Sequence, residues 1–195
     1  MLLSAPLFLL LAVPRVPARS RDIVSHRSAI IVTILKKIHF HTLGCKLNQV
    51  ETEQIAARFA EAGWEVGSGG EGWQFVHTCA VTAKAEAKSR RMLRKLAREN
   101  PDQVIAAGCL AQLRGAKLAE ISGVQLVLGA GEKYSAPEIL DRNGSRINVN
   151  PEPQGNFLPE CNANGFRSRA FVKIQDGCGH RCSYCIVPRL RGEPV

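Results

Sequence analysis

Cys178-Gly-His-Arg-Cys182-Ser-Tyr-Cys185 gathers three thiols in a CxxxCxxC spacing, with an aromatic residue directly before the third. Thiolates are soft ligands that hold iron–sulfur clusters. Three of them serve three irons of a four-iron cube and leave the fourth iron with an open position. An open iron can take a substrate, so the spacing points to chemistry rather than to electron storage. The competing reading is structural zinc, which wants four ligands in a closed tetrahedron. His180 would then be the fourth ligand, from an awkward place between two of the thiols. A disulfide framework suits the sequence poorly, because seven cysteines is an odd number and they are widely scattered.

A second set of cysteines emerges from the elements around it. Residues 38–43, 73–77, 103–107 and 124–128 read as short strands. Between them, residues 49–62, 82–98 and 110–121 carry helical apolar spacing, with Gly63 and Asn100-Pro101 as stops. Residues 67–72 read as a flexible turn. Strands separated by helical crossovers predict an α/β fold, a mostly parallel doubly wound sheet with helices on both faces. Cys45, Cys79 and Cys109 each stand between a predicted strand and the next helix. In a parallel sheet those positions share one edge, where ligands characteristically bind. Three thiols some 30 residues apart can therefore converge on a second cluster, beside helix amino termini that favour negative charge. One such cysteine alone would be read as a small buried hydrophobe. Cys161 has no partner nearby and reads as a spare surface thiol.

The expected organisation is an extension over residues 1–37, a cluster-binding domain over 38–140, and a linker rich in Asn, Pro and Gly over 141–165. A further domain then begins over 166–195, opening with a strand at 170–174. The extension contains a short apolar run but no preceding Lys or Arg, and the run is too short to span a bilayer. It reads as disordered or as translation begun upstream of the natural start, with a signal peptide as the alternative. Of the net charge of +9, the first 37 residues hold +5, so overall charge says little about partners. The 82–98 helix is more informative. Lys84, Lys88, Arg91, Lys95 and Arg98 recur along one face, opposite an expected core stripe of Ala85, Met92 and Leu96. With Glu86 as its single acid, that face suits phosphate contact. Arg167, Arg169, Arg189 and Arg191 are candidates for the same positive rim. Unpaired thiols point to a reducing compartment, the cytoplasm.

Residues 40–49 (FHTLGCKLNQ), 76–82 (VHTCAVT), 107–109 (AGC) and 178–188 (CGHRCSYCIVP) together resemble the radical S-adenosylmethionine methylthiotransferases. The branch most resembled acts on tRNA carrying N6-threonylcarbamoyladenosine. The resemblance runs over residues 38–192, with four motifs in the family's order. It implies two 4Fe-4S clusters, one on Cys178, Cys182 and Cys185, which binds S-adenosylmethionine, and an auxiliary one on Cys45, Cys79 and Cys109. It implies an enzyme that adds a methylthio group to C2 of the modified adenosine at position 37, in the tRNA anticodon stem-loop. There a 5′-deoxyadenosyl radical removes the C2 hydrogen, and an electron donor such as flavodoxin or ferredoxin feeds the cluster. No membrane is involved.

The chain departs from the family pattern in two ways. His77 stands where the family usually has Asn. The chain also stops at Val195, just inside the expected S-adenosylmethionine barrel, so a radical barrel truncated at its start is expected to be inactive alone. Two other functions are consistent with the residues: the sister branch that modifies a ribosomal-protein aspartate, and an RNA-binding α/β module without catalysis.

Overall fold

The computed structural model describes residues 36–67, 69–142, 144–155 and 171–195. The expectations placed on residues 1–35, Cys161, Arg167 and Arg169 lie outside them. Six strands form one all-parallel sheet: β1 (Lys37–Thr42), β2 (Glu65–Gly67), β3 (Trp73–Thr78), β4 (Val104–Gly108), β5 (Val124–Leu128) and β6 (Ile147–Asn148). Their spatial order is β2-β1-β3-β4-β5-β6. The crossovers include helices α1 (Lys46–Glu61), α2 (Ala83–Glu99), α3 (Cys109–Ala119) and α4 (Ala136–Asp141), the last following a 3-10 turn at Glu132–Ser135. A short helix, α5 (Val187–Arg191), lies near the chain end.

The central strands are apolar on both faces, as a sheet covered on both sides requires. Ile38, Phe75, Ile105 and Leu128 pack with Ile55 and Phe59 of α1 and with Tyr134. Val76, Val104, Ala106 and Val127 pack on the other side with Leu93 and Leu96 of α2 and Leu110 and Leu118 of α3. Each fully buried Leu, Ile or Phe contributes roughly 1.5–3 kcal/mol of transfer free energy. The doubly wound parallel α/β fold expected from the strand–helix alternation is the one observed.

Winding reverses once. The chain goes from β1 outward to β2, then crosses back to place β3 on the opposite side of β1. Such a reversal leaves a crevice beyond the carboxyl ends of the two strands flanking it, here β1 and β3.

Several local expectations need correction. Helix α1 begins at Lys46, directly after Cys45, and not at residue 49. The buried stripe of α2 is Ser89, Leu93, Leu96 and Ala97, while Ala85 and Met92 are half-buried. Strand β2 falls in a three-residue stretch too short to show alternation. Strand β6 lies inside the stretch expected as linker, pairing with β5 through Val127 and Leu128. Residues 171–175 form no strand: Val172 and Ile174 are 71% and 87% exposed, whereas Lys173 is buried. The inward pull on Lys173 is ionic, and it sets that residue's orientation against its hydropathy.

Candidate metal centre

Strands β1, β3 and β4 are immediate neighbours, and Cys45, Cys79 and Cys109 follow their carboxyl ends. Their ends are also level, since Thr42 pairs with His77 and Thr78 with Gly108. Cys45 is the N-cap of α1 and Cys109 is the first residue of α3, so both sit closer to helix amino termini than the sequence suggested. Cys79 and Cys109 are buried and Cys45 is exposed, which leaves the group reachable from one side.

Backbone locks hold the flanks of the three thiols together. The Asn48 amide donates to Leu43 O at 2.8 Å and to Thr78 O at 3.2 Å, tying the approach to Cys45 to the approach to Cys79. The Thr78 hydroxyl donates to Ala107 O at 2.7 Å and accepts from Leu110 N at 3.2 Å, tying Cys79 to Cys109. Ser89 of α2 accepts from Cys79 N and donates to Cys79 O, both at 3.1 Å. Cys45 Sγ lies 3.9 Å from Asn48 Oδ1. Gly44 has φ +98°, and a Cβ placed there would lie 2.6 Å from Cys79 Sγ, so only glycine leaves that sulfur room.

His77, the departure from the family pattern, turns away from the Cys79 loop. Its Nδ1 lies 2.9 Å from Thr52 Oγ1 of α1, and its Nε2 is 3.5 Å from Glu51 Oε2. Burial, and then the nearby Lys133 charge, lower its pKa to about 3, so it is neutral at pH 7.

Glu51 stands at the centre of a buried ionic cluster that sequence reasoning missed. Its carboxylate accepts from Arg191 Nη1 at 2.7 Å, Arg191 Nη2 at 3.0 Å and Lys173 Nζ at 3.0 Å. Lys133 Nζ lies 3.1 Å from its other face. Asp176 accepts from Lys173 at 2.8 Å and from Arg191 at 2.7 Å. Burial alone would raise the Glu51 carboxyl, but Lys133 and Arg191 hold it well below the usual carboxylate range. Burial likewise opposes ionisation of Asp176, and Arg191 and Lys173 overcome it. Arg191 also donates to Asn48 Oδ1 at 2.9 Å. Burial pushes the Cys109 thiol up, while the Arg191 charge and a side-chain hydrogen bond from it pull the other way. Arg191, expected on a positive rim, is therefore buried beside the cysteines; Arg189 remains exposed. The sequence signal for the cluster is weak, since Glu51 falls in an expected helix among other polar residues and Lys133 in no expected element.

The CxxxCxxC loop closes on itself through the chain end. Asp176 and Val195 exchange backbone hydrogen bonds at 3.1 and 2.9 Å, and Cys178 N donates to Gly192 O at 3.1 Å. Cys185 N donates to Cys182 O at 3.0 Å, which closes a backbone turn between the second and third cysteines. Cys182 is exposed and Cys178 and Cys185 are partly so; His180 is exposed.

Among the described residues, no three His, Cys, Asp or Glu side chains close around a single ion. A four-iron cube asks for a different arrangement: one thiolate at each of three separated corners, in a donor-lined recess. Cys45, Cys79 and Cys109 fit that demand in donor type, in shared location and in the space Gly44 keeps open. The buried Lys133 Nζ and His77 Nε2 both face Glu51 Oε2, at 3.1 and 3.5 Å. Elsewhere, Lys84, Lys88, Arg91, Arg94, Lys95 and Arg98 of α2 are exposed, and Arg90 is engaged by Glu86 at 2.5 Å. Arg90, Arg91, Arg94 and Arg98 line a shallow groove. No helix among the described residues is long and apolar enough to cross a membrane.

Residues 37–129 match the model of the uncharacterized protein family UPF0004. The chain is 37% identical over 164 residues to the threonylcarbamoyladenosine tRNA methylthiotransferase MtaB of Bacillus subtilis, covering 80% of this chain and 36% of that protein. It is 32% identical over 172 residues to the ribosomal protein uS12 methylthiotransferase RimO of a Synechococcus strain, covering 83% of this chain and 37% of the relative. With the tRNA-2-methylthio-N(6)-dimethylallyladenosine synthase of Thermus thermophilus it shares 34% identity over 166 residues, 82% of this chain and 35% of the other. The chain thus spans little more than a third of the length of these relatives. Through the sheet domain and the motifs that follow it, this chain belongs to the methylthiotransferase family.

Proposed function

We propose that the chain belongs to an enzyme that transfers a methylthio group to C2 of N6-threonylcarbamoyladenosine at position 37 of tRNA. Residues 38–140 form its cluster-binding domain, 141–165 its linker and 166–195 the start of its S-adenosylmethionine domain. Cys45, Cys79 and Cys109 hold one 4Fe-4S cluster, and Cys178, Cys182 and Cys185 hold another, at which S-adenosylmethionine binds. When bound, these groups supply the one-electron and sulfur chemistry that side chains alone cannot perform. The protein's own part is to orient. Asn48, Thr78 and Ser89 fix the backbone beside each thiol, and the carboxyl ends of β1, β3 and β4 set the three cysteines along one edge of the sheet. Flavodoxin or ferredoxin as electron donor and a cytoplasmic location complete the reading.

The observation that supports it is that Cys45, Cys79 and Cys109 each follow the carboxyl end of one of three adjacent strands. The tRNA branch is favoured over the ribosomal-protein branch by the relatives named for threonylcarbamoyladenosine, at 32–37% identity. The exposed cations of α2 favour it too, since they suit a phosphate backbone better than a protein aspartate. Anaerobic reconstitution with iron and sulfide tests the reading. Two four-iron clusters per chain are expected, and Cys45→Ala and Cys178→Ala should each remove one. One equivalent of zinc with no brown chromophore refutes it.

A further inference from the structure

The segment carrying the CxxxCxxC loop also delivers Arg191, and that side chain ends at the other set of cysteines. We propose that Arg191 is a positioning residue for the Cys45/Cys79/Cys109 site, setting the charge against which an anionic group on those thiols is held. The inference rests on the reading of that site as a cluster site and extends it by a residue outside the thiol motifs.

A buried guanidinium needs an acceptor at nearly every N–H, and its planar fork makes several bonds in fixed directions. Arg191 meets two oxygens of Glu51, one of Asp176 and the amide oxygen of Asn48. Asn48 is the residue that ties the Cys45 and Cys79 flanks together. Its acceptor oxygen faces Arg191 and Cys45 Sγ, so moving Arg191 releases the amide that aligns two of the thiols.

Charge points the same way. The Arg191 guanidinium is buried, always carries its positive charge, and bonds the Asn48 amide oxygen that lies 3.9 Å from Cys45 Sγ. An anionic group on the three thiols lies on the side of Asn48 that this charge faces, and a buried charge is stabilised by an opposite one nearby.

The test uses the full chain with Cys178, Cys182 and Cys185 changed to Ala, so that only the other site loads. After anaerobic reconstitution with iron and sulfide, the readouts are iron and sulfide per chain, the cluster's electron paramagnetic resonance signal and its midpoint potential. Arg191→Gln removes a positive charge and is expected to shift the potential negative and to speed iron loss to a chelator. Arg191→Lys is expected to restore the potential in large part but not the retention of iron. Asp176→Asn breaks the same network while removing a negative charge, and is expected to shift the potential positive. Potentials that move the same way in Arg191→Gln and Asp176→Asn would make Arg191 merely structural and overturn the proposal. An Arg191→Gln chain matching its parent in potential and iron retention overturns it alone. Should Arg191→Gln fail to fold, an Asp176→Asn potential that is unchanged or more negative overturns it. A parent that binds no iron refutes the cluster reading itself, and this proposal with it.

Discussion

Glu51→Gln isolates the energetics of the buried cluster. The substitution keeps the shape of the side chain but removes the charge that faces Arg191, Lys173 and Lys133 at 2.7–3.1 Å. Among the described residues, Asp176 then stands as the only carboxylate of the group against three cations. Breaking a buried ion pair from one side costs about 3–5 kcal/mol, because the partner is left buried and uncompensated. For a chain of this size, each kcal/mol lowers Tm by roughly 2–4 °C. The expected loss is therefore about 6–20 °C, read by circular dichroism at pH 7. The pH dependence carries a definite sign. The Glu51 carboxyl is held below its usual range in the folded protein, so its stabilisation is complete above the unfolded value, about 4.3, and fades as pH falls through the folded one. Parent and variant melting curves should separate at neutral pH and converge in acid. Combining Glu51→Gln with Arg191→Gln should cost less than the sum of the two, since each leaves the other's partner unpaired. A variant within about 1 kcal/mol of the parent at pH 7 would refute the argument, for it would mean the cluster is open to water.

Gly108→Ala tests how tightly β4 runs beside His77. Its φ is +92°, and a Cβ there would lie 2.6 Å from His77 Cδ2, so strain and overpacking together should cost about 2–4 kcal/mol. Adding His77→Asn should recover the packing part alone, and full tolerance of Gly108→Ala in a thermal melt would contradict the geometry. On α2, replacing Lys88, Arg91 and Lys95 by Glu should weaken binding of an RNA stem-loop and flatten its salt dependence, by about 0.7–0.9 in slope per lost phosphate contact. The same variant should melt within about 0.5 kcal/mol of the parent, these side chains being on the exposed side of the helix. Unchanged RNA affinity across a salt series would remove α2 from the interface.

The elements with strong local signals were legible in the sequence. Strand β5 was expected at 124–128 and forms there, and α2 is bounded by Thr82, whose hydroxyl accepts from Ala85 N at 3.1 Å. What the sequence withheld was spatial order. Nothing local says that β3 returns beside β1, yet that return is what puts Cys45 and Cys79 on neighbouring strands. The ionic cluster was hidden for a different reason. Glu51 sits in a polar stretch of α1, and Lys173 alternates with apolar neighbours, so hydropathy gives no sign that either is buried. Their burial depends on partners over 100 positions away in sequence, which no periodicity encodes.

Docking of residues 171–195 against the sheet domain is governed more by direction than by apolar area. Leu190 is buried there, but Val172 and Ile174 face outward, and the inward side chains are Lys173, Asp176 and Arg191. Ion pairs of this kind gain little net stability over an apolar contact of equal volume, because desolvation offsets most of their attraction. What they add is angular constraint: the Arg191 fork can meet Glu51, Asp176 and Asn48 together in one orientation only. An apolar seam would tolerate slippage by a fraction of a side chain. Reactive groups need their supports held to within about 0.5 Å, so a slipping seam would suit the thiol sites poorly. The same argument explains why the carboxylates come from both partners, Glu51 from the sheet domain and Asp176 from the loop. With both on one side, the cations would be satisfied before docking and the orientation would go unspecified.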